Sequence, residues 1–373
     1  MKNQTKHSLL CLLLFIYVWL PVRAQDGTPK HQSKTEIIKA VVEKYCQDHP
    51  FSGAVLVAQN RELVWKGAKG FANKATEQKN LINTKFLVGS VSKQFTAMIV
   101  LQLVQEGKLK LDDLAIKYFP FLPKEKSTIT IHQLLSHTSG LGHYSKLNVN
   151  AKKFMYKPVT PIEYAKVIAK MGMVAKPGKK MSYSSMGYIL LAAIAEQITG
   201  KTFSTLLEER IARPLGLKNT GFTLNTNELQ NFALSYDLKN QKAATDNDFR
   251  FKLNKPRHQS NTYSTGGIHS TVEDMLVWFK ALATNKLLNK ELTKKMFTPN
   301  LGNYAYGWFI NDVRLTKAYK LTNIISHGGS VNGFRAAVSM FNNQQDFVII
   351  LANHPSRIWL LTAEIKKALD RKE

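Results

Sequence analysis

The chain has 373 residues, of which 44% are hydrophobic and 21% are charged, and its formal net charge is +26. This length allows a sizeable core in two domains or one large one, and the composition excludes an intrinsically disordered chain. The lysines are scattered and have no nucleic-acid-binding motif among them, so nucleic acid is excluded as the expected partner.

The first 24 residues have the order of a signal peptide. Lys2 and Lys6 precede an apolar stretch at residues 9–20, and Ala24 follows as the predicted cleavage point. A membrane anchor is the alternative, but this stretch has about 12 residues where a spanning helix needs about 20. Removal of Lys2, Lys6 and Arg23 leaves a charge of +23. The sequence therefore predicts an exported protein, periplasmic or secreted.

The remaining positive charge has two explanations. It would favour peripheral contact with an anionic envelope surface, such as cell-wall polymers or lipid headgroups. It would equally serve to keep the protein soluble. Cys46 would be the only cysteine after cleavage, so no intramolecular disulfide is expected, and its helical context predicts a small buried side chain.

The N-terminal part of the chain predicts a helix, a β-hairpin and a second helix. Residues 35–47 carry apolar side chains along one helical side. Two strand-like runs, 53–58 and 62–67, flank a polar turn and predict a hairpin. From Ser90 onward the apolar spacing is helical, and Gly107 is placed to end this helix.

The middle of the chain, about 122–255, is dominated by helical patterns and loops. Thr160, Pro161 and Glu163 form the sequence of an N-cap, a first-turn proline and a capping-box glutamate, which predicts a helix to about Met171. Another helix is predicted over 187–199. Each of these helices has its own start or stop signal.

The C-terminal part predicts a return to strands. Ser270 and Glu273 form a second capping-box pattern that predicts a helix through Leu282. Short apolar or alternating runs then predict strands, followed by a helix over 358–369. The predicted strands are 306–313, 323–326, 334–341 and 347–353.

The arrangement of strands and helices predicts the domain organisation. Strands at both ends of the chain, with helices between them, predict an α/β sandwich domain formed by 35–120 and 260–373. Residues 121–259 would form an inserted helical domain. The active-site cleft is expected between the two.

Ser90 and Lys93 are three residues apart at the predicted start of a helix, within the sequence Gly-Ser-Val-Ser-Lys. This spacing puts the hydroxyl and the amine on one helical face. A lysine that burial has made neutral can take the serine's proton, and the amides at a helix N-terminus can stabilise an oxyanion. Taken alone, however, the pattern is better explained by an N-cap serine beside a solvated lysine.

Two later segments carry residues that would complete such a site. Tyr183 precedes an apolar helix, where a phenol beside a lysine could relay protons. His327, Gly328 and Gly329 follow a strand-like run, and the glycines would let a substrate backbone approach a sheet edge closely. In isolation, a core tyrosine and a glycine turn explain these segments better.

Together, the order Ser90-x-x-Lys93, Tyr183-x-Ser185, His327-x-Gly329 resembles the serine β-lactamase and penicillin-binding protein superfamily, in particular its class C β-lactamase and D-alanyl-D-alanine carboxypeptidase branch. The resemblance covers residues from about 35 to 367. Other segments are similar to family segments in the same order, namely 134–141, 214–217, 266–267 with Ser270, Thr271 and Asp274, and 306–308.

The resemblance implies a fold and a mechanism. The fold would be α/β, a β-lactamase/transpeptidase-like antiparallel sheet flanked by helices, with an inserted all-helical domain. Ser90 would attack the substrate and form an acyl-enzyme, with proton transfer shared by Lys93 and Tyr183. Backbone amides of Ser90 and Ser330 would form the oxyanion hole. Neither a cofactor nor a metal is expected.

The resemblance also implies substrate contacts by Ser185, His327, Gly329 and Ser330. His327 stands where relatives often have lysine, and it would bind a substrate carboxylate or keep the Tyr183 region polar. Its titration near neutral pH would make activity pH-sensitive. Ser185 stands where the family commonly has an asparagine that binds the substrate's acylamide chain, which puts β-lactam hydrolysis in doubt more than acyl transfer itself.

Other candidate residues carry weaker predictions. Arg335 could reach a substrate carboxylate as a bidentate donor, although a solvated strand arginine is the more common situation. His132, His137 and His143 are close in sequence but lack the spacing of a metal site. The family parallel gives His137 a structural role.

The predicted reaction is hydrolysis or transfer of an amide or ester. Peptidoglycan stem peptides ending in D-alanine are the first expected substrates, as in a D-Ala-D-Ala-type peptidase, because export would place the enzyme beside them. Small esters or amides come next, and β-lactams third. The alternative from a different class is a catalytically silent cell-wall peptide-binding protein with the same fold.

Overall fold

The computed structural model describes residues 33–143, 156–238, 251–253 and 258–371. The predicted signal segment, 1–24, lies outside the described residues. Within the described ranges, every helix is too short or too polar to cross a bilayer.

The strands belong to one large antiparallel sheet and several short pairs. The large sheet has the order β2-β1-β12-β11-β10-β9, so strands from the two ends of the chain lie side by side. In chain order the strands are β1 (Gly53–Gln59), β2 (Glu62–Lys69), β3 (Phe71–Asn73), β4 (Gln78–Lys79), β5 (Phe86–Leu87), β6 (Tyr236–Leu238), β7 (Phe251–Leu253), β8 (His269–Ser270), β9 (Phe309–Ile310), β10 (Ile325–Val331), β11 (Phe334–Phe341) and β12 (Asp346–Ala352).

The helices begin and end at recognisable capping signals. Ser33 with Glu36, and Thr160 with Glu163, form reciprocal capping boxes, and Gly200 ends a helix in the left-handed region with φ of 67°. The helices are α1 (Lys34–Asp48), α2 (Ser92–Gln105), α3 (Ile131–Leu135), α4 (Pro161–Lys170), α5 (Ser185–Thr199), α6 (Phe203–Leu207, extended by Glu208–Ala212 and Arg213–Leu215), α7 (Val272–Ala283), α8 (Lys290–Phe297), α9 (Val313–Tyr319) and α10 (Ile358–Leu369).

The inner strands β1, β11 and β12 of the large sheet are buried on both faces. On one face, β11 side chains such as Ala336 and Val338 pack into a core shared with α2, α5 and α7. On the other face, Ala337 and Phe341 pack into a core shared with α1 and α10. Helix α2 is therefore surrounded by protein, with every residue from Ser92 to Leu103 buried. The predicted α/β fold with an antiparallel sheet is confirmed.

Three details of the sequence prediction are wrong. The cap of α7 is Thr271, which accepts from the Asp274 amide, because Ser270 is part of β8 and pairs with Phe86. The predicted strand over 306–313 reduces to β9. After it, Asp312 caps α9, which was not predicted, by accepting from the amide of Arg314.

The predicted domain organisation is only partly visible in the fold. The strands of the large sheet do come from the two ends of the chain, and helices dominate the segment between them, although β6 and β7 also form a short pair there. Helix α5 packs against α2, so this segment shares a core with the sheet. The boundaries at 121 and 259 stay a prediction.

Candidate active site

Ser90 lies in a short 3-10 turn, Gly89–Val91, which leads into α2. Two glycines allow this turn to lie directly against β10. A Cβ on Gly89 would come within 2.5 Å of the Ser330 amide nitrogen, and a Cβ on Gly329 would come within 2.0 Å of the Val88 carbonyl oxygen. No side chain fits at these distances, so the two glycines hold the Ser330 amide beside the nucleophile turn.

Lys93 lies one helical turn after Ser90 and is fully buried. Its Nζ lies 3.1 Å from Ser90 Oγ and 3.0 Å from the carbonyl oxygen of Thr265. Burial disfavours the charged ammonium and lowers the pKa of Lys93 to about 7. At neutral pH a large fraction of Lys93 is therefore neutral, and its amine can donate to Thr265 while it accepts a proton from Ser90.

Ser90 and Tyr183 line one cleft. Lys93 Nζ lies 5.1 Å from the centre of the Tyr183 ring. The Tyr183 backbone is held on both sides by His137. The amide of Ser182 donates to the His137 carbonyl oxygen at 2.8 Å, and the amide of Ser184 donates to His137 Nδ1 at 3.2 Å. The two rings lie 4.2 Å apart. His137 therefore positions the tyrosine.

The link between His137 and Tyr183 could not be read from the sequence, because the two residues belong to distant segments. Complete burial and the nearby charge of Lys93 hold the pKa of His137 well below its usual value. The ring is therefore neutral. This agrees with Nδ1 acting as an acceptor for the Ser184 amide.

His327 lines the cleft, but its predicted titration near neutral pH is wrong. The side chain is only 2% exposed. Its Nδ1 faces the Gly328 carbonyl oxygen at 2.8 Å, and its Nε2 lies 3.2 Å from the hydroxyl of Tyr304. Burial, reinforced by the charge of Lys93, lowers the pKa of His327 to about 3. A neutral ring keeps the region polar but supplies no positive charge for a substrate carboxylate.

We expect His327 to stay neutral from pH 5 to pH 8, because protonation would put a charge into a buried site beside Lys93. The measurement is the ¹³Cε1 chemical shift of labelled histidines, with the His327 signal assigned by its loss in His327→Gln. A flat profile is expected over this range. An inflection near pH 6.5 would restore the idea of a titrating histidine.

The remaining predicted substrate-binding residues differ in their access to the cleft. Ser330 and Gly329 line it. Ser185 is the first residue of α5 and is 8% exposed, and it is not among the residues that line the cleft. The substrate contacts of Ser185, His327, Gly329 and Ser330 stay predictions.

The remaining candidates are Arg335 and the histidines that were considered as metal ligands. Arg335 lines the cleft and is half-buried, which lowers the pKa of its guanidinium. His132 Nδ1 lies 2.7 Å from the hydroxyl of Tyr306. Within the described ranges, no group of three or more histidine, cysteine, aspartate or glutamate side chains is arranged to hold a metal ion.

The cleft has a volume of about 1000 Å³. It opens at an incomplete edge of the large sheet, because β9 pairs only with Ile325 and Ser326 of β10. From His327 onward, no described strand covers this edge of β10. The cleft therefore brings together the Ser90 hydroxyl, the Tyr183 phenol and a free strand edge, and the buried amine of Lys93 lies 3.1 Å from that hydroxyl. Acyl transfer requires groups of these kinds.

Comparisons with known proteins identify the family of the chain. The family model described as "Beta-lactamase" matches residues 38–369. A relative from Bacillus subtilis (strain 168), described as "Putative penicillin-binding protein PbpX", is 27% identical over 325 residues. These residues cover 87% of this chain and 76% of PbpX.

Solved structures show the same fold. A penicillin binding protein from Bacillus halodurans has 25% sequence identity and a TM-score of 0.73, covering 88% of this chain and 98% of that one. A D-amino acid amidase from Ochrobactrum anthropi SV3, solved with D-phenylalanine, has 21% identity and a TM-score of 0.74, covering 90% of this chain and 98% of the amidase.

Proposed function

The chain belongs to the Beta-lactamase family, and from that premise we propose that it is a serine hydrolase that forms an acyl-enzyme on Ser90. At the level of the superfamily to which the family match assigns it, the protein is a hydrolase. The observation that carries the finer proposal is the 3.1 Å contact between Lys93 Nζ and Ser90 Oγ in the cleft.

The proposed reaction has two halves. In the first, neutral Lys93 takes the proton of the Ser90 hydroxyl, Ser90 Oγ bonds to the carbonyl carbon, and the amides of Ser90 and Ser330 stabilise the oxyanion. The bond to the leaving group breaks as Tyr183 donates its proton to the leaving group. Lys93 then passes the proton taken from Ser90 to Tyr183. In the second half, a water oxygen bonds to the acyl carbon while the same groups take a proton from the water. The bond between that carbon and Ser90 Oγ then breaks as these groups give the proton to Ser90.

The proposed substrates are amides or esters, with peptides ending in D-alanine first. The free edge of β10 supports this choice, because an extended peptide can add to an exposed strand edge through its backbone. The buried position of Ser185 supports placing β-lactams after peptides and esters. Export and contact with an anionic envelope surface are part of the proposal and rest on the first 24 residues and the positive charge.

We expect a fluorescent fluorophosphonate or a fluorescent penicillin to label the native protein and not Ser90→Ala, because the label needs the Ser90 hydroxyl. In-gel fluorescence and intact mass measure the adduct. Ser127→Ala is the matched control, since Ser127 lies outside the cleft and its hydroxyl donates to the carbonyl of Lys124. It should label as the native protein does.

The binding-protein alternative predicts a different outcome. A folded native protein that neither reagent labels would favour a catalytically silent peptide-binding protein. If labelling occurs, the same sample is assayed with a D-Ala-D-Ala peptide, a p-nitrophenyl ester and a chromogenic cephalosporin. Release of D-alanine faster than the other two reactions supports the peptidase, and faster cephalosporin turnover contradicts the proposed substrate order.

A further inference from the structure

The cleft continues past Ser90, around the free edge of β10, onto the opposite face of the large sheet. Gly329 faces the Ser90 side, because a Cβ there would meet Val88. Gly328 faces the other side, where a Cβ would lie 3.2 Å from Cζ2 of Trp359 on α10. Both glycines line the cleft, and so does Trp359. The part of the cleft on the Trp359 side is called the distal lobe.

Arg335 belongs to the distal lobe. In the β10–β11 register Arg335 pairs with Ser330, and directly opposite residues point to the same face of a sheet. Since Ser330 is two residues after Gly328, both point to the Trp359 side. Arg335 therefore projects away from the Ser90 face but still lines the cleft.

The distal lobe combines apolar walls with a cation. Its apolar lining comes from α9 and the start of α10, and these residues are Val313, Leu315, Ala318, Tyr319, Ile358 and Trp359. The Arg335 guanidinium donates to the carbonyl of Phe334 at 2.9 Å. It forms no ion pair among the described residues, although Asp237 is near enough for its charge to raise the pKa of the guanidinium. Such a space suits a ligand that is apolar along its length and negatively charged at its end.

The geometry of the strand edge says which part of a substrate would enter. If the Ser330 amide holds the reacting carbonyl, the acyl residue lies opposite Ser330 on the free edge. A substituent of that residue can share the face of the Ser330 side chain, which is the face of the distal lobe. Such a substituent lies on the face to which Arg335 also points, because Arg335 pairs with Ser330.

We infer that the distal lobe is an acyl-group subsite that takes an apolar arm ending in a carboxylate. This inference rests on the proposed function, since it concerns the acyl group that Ser90 would receive. It adds a substrate class to that function: acyl donors with a chain of several carbons and a terminal carboxylate are preferred over short neutral ones.

The test compares three p-nitrophenyl esters by kcat/KM: the acetate, the hexanoate and the monoester of adipic acid. The native enzyme should prefer the hexanoate to the acetate by about tenfold, because the apolar arm is buried. It should prefer the adipate to the hexanoate by about another tenfold, because of the charge-assisted hydrogen bond.

The variants separate the two features of the lobe. Arg335→Gln should lower kcat/KM for the adipate monoester to the value for the hexanoate and leave kcat/KM for the acetate unchanged. Trp359→Ala should lower the hexanoate and adipate rates and leave the acetate unchanged. Arg213→Gln and Trp65→Ala are the controls, because Arg213 and Trp65 lie outside the cleft. They should leave all three rates unchanged.

The outcomes also separate the subsite from the proposed function. Equal rates for the three esters in a native enzyme that a fluorophosphonate labels on Ser90 would overturn the subsite alone. The native ester series decides this even if Trp359→Ala does not fold. Absence of both labelling and ester turnover would overturn the proposed function, and the subsite with it.

Discussion

Replacing Lys93 with methionine is expected to lower kcat/KM for a p-nitrophenyl ester by about 10³-fold, because Ser90 then lacks its general base. Methionine fills a similar volume without an amine. In the native enzyme, kcat/KM should rise with pH through about 7, since burial lowers the pKa of Lys93 to about 7 and only the neutral amine accepts a proton. Initial rates from pH 5 to pH 9 measure both effects.

The matched control for this substitution is Lys126→Met. Lys126 is also fully buried, and its Nζ donates to the Ala169 carbonyl at 3.1 Å. It lies outside the cleft, so its replacement should leave the pH profile unchanged. Should Lys93→Met keep the native rate and the same rise near pH 7, Lys93 would not be the base.

Lys93 also predicts how stability depends on pH. The pKa of Lys93 is lower in the folded state, about 7, than in the unfolded chain, where the ordinary value is 10.5. Between these two values the unfolded chain binds more protons, so the free energy of unfolding rises with pH. The cost of the buried charge is fully present below pH 7 and disappears toward pH 10.5.

The corresponding measurement compares the native protein with Lys93→Met by urea denaturation at pH 7 and pH 9. The native protein should gain about 2 kcal/mol relative to the variant between these two values. Groups that titrate in both proteins contribute equally to the two free energies of unfolding, so their contributions cancel in the comparison. If the free energies of unfolding of the native protein and Lys93→Met differ by the same amount at pH 7 and at pH 9, the amine of Lys93 does not change its proton affinity on folding.

The second large effect is expected for Gly329→Ala. The new Cβ would lie 2.0 Å from the Val88 carbonyl oxygen, which real structures do not tolerate, so β10 must move away from the nucleophile turn. The Ser330 amide would move with it and leave the proposed oxyanion hole. We expect kcat/KM to fall by about 10²- to 10³-fold and the free energy of unfolding to fall by about 1–3 kcal/mol.

Gly172→Ala is the control for this substitution, because a Cβ on Gly172 would have open space around it. It should change neither activity nor stability measurably. Ester kinetics and urea denaturation on all three proteins make the comparison. If Gly329→Ala retains native kcat/KM, the close approach of β10 to the Ser90 turn has no role in catalysis.

The sequence was sufficient for features that depend on neighbouring residues. Both strands of the first hairpin, helix α4 with its capping box and the helix that follows Ser90 were predicted with small errors at their ends. Local signals failed where a tertiary contact competed with them. Ser270 had the pattern of an N-cap, but pairing of β8 with β5 made Thr271 the cap. The run after Tyr306 looked like a strand, but most of it lies outside β9.

For the site, the sequence determined which chemical groups are present: the hydroxyl of Ser90, the amine of Lys93 at a spacing of three residues and the phenol of Tyr183. Only the tertiary structure decided the state of those groups, because a pKa depends on burial and on charges that are distant along the chain. Surrounding protein makes Lys93 partly neutral at pH 7, while burial beside Lys93 keeps His327 neutral where the sequence suggested titration. The packing of β10 on the Ser90 turn and the second lobe of the cleft likewise required the assembled sheet.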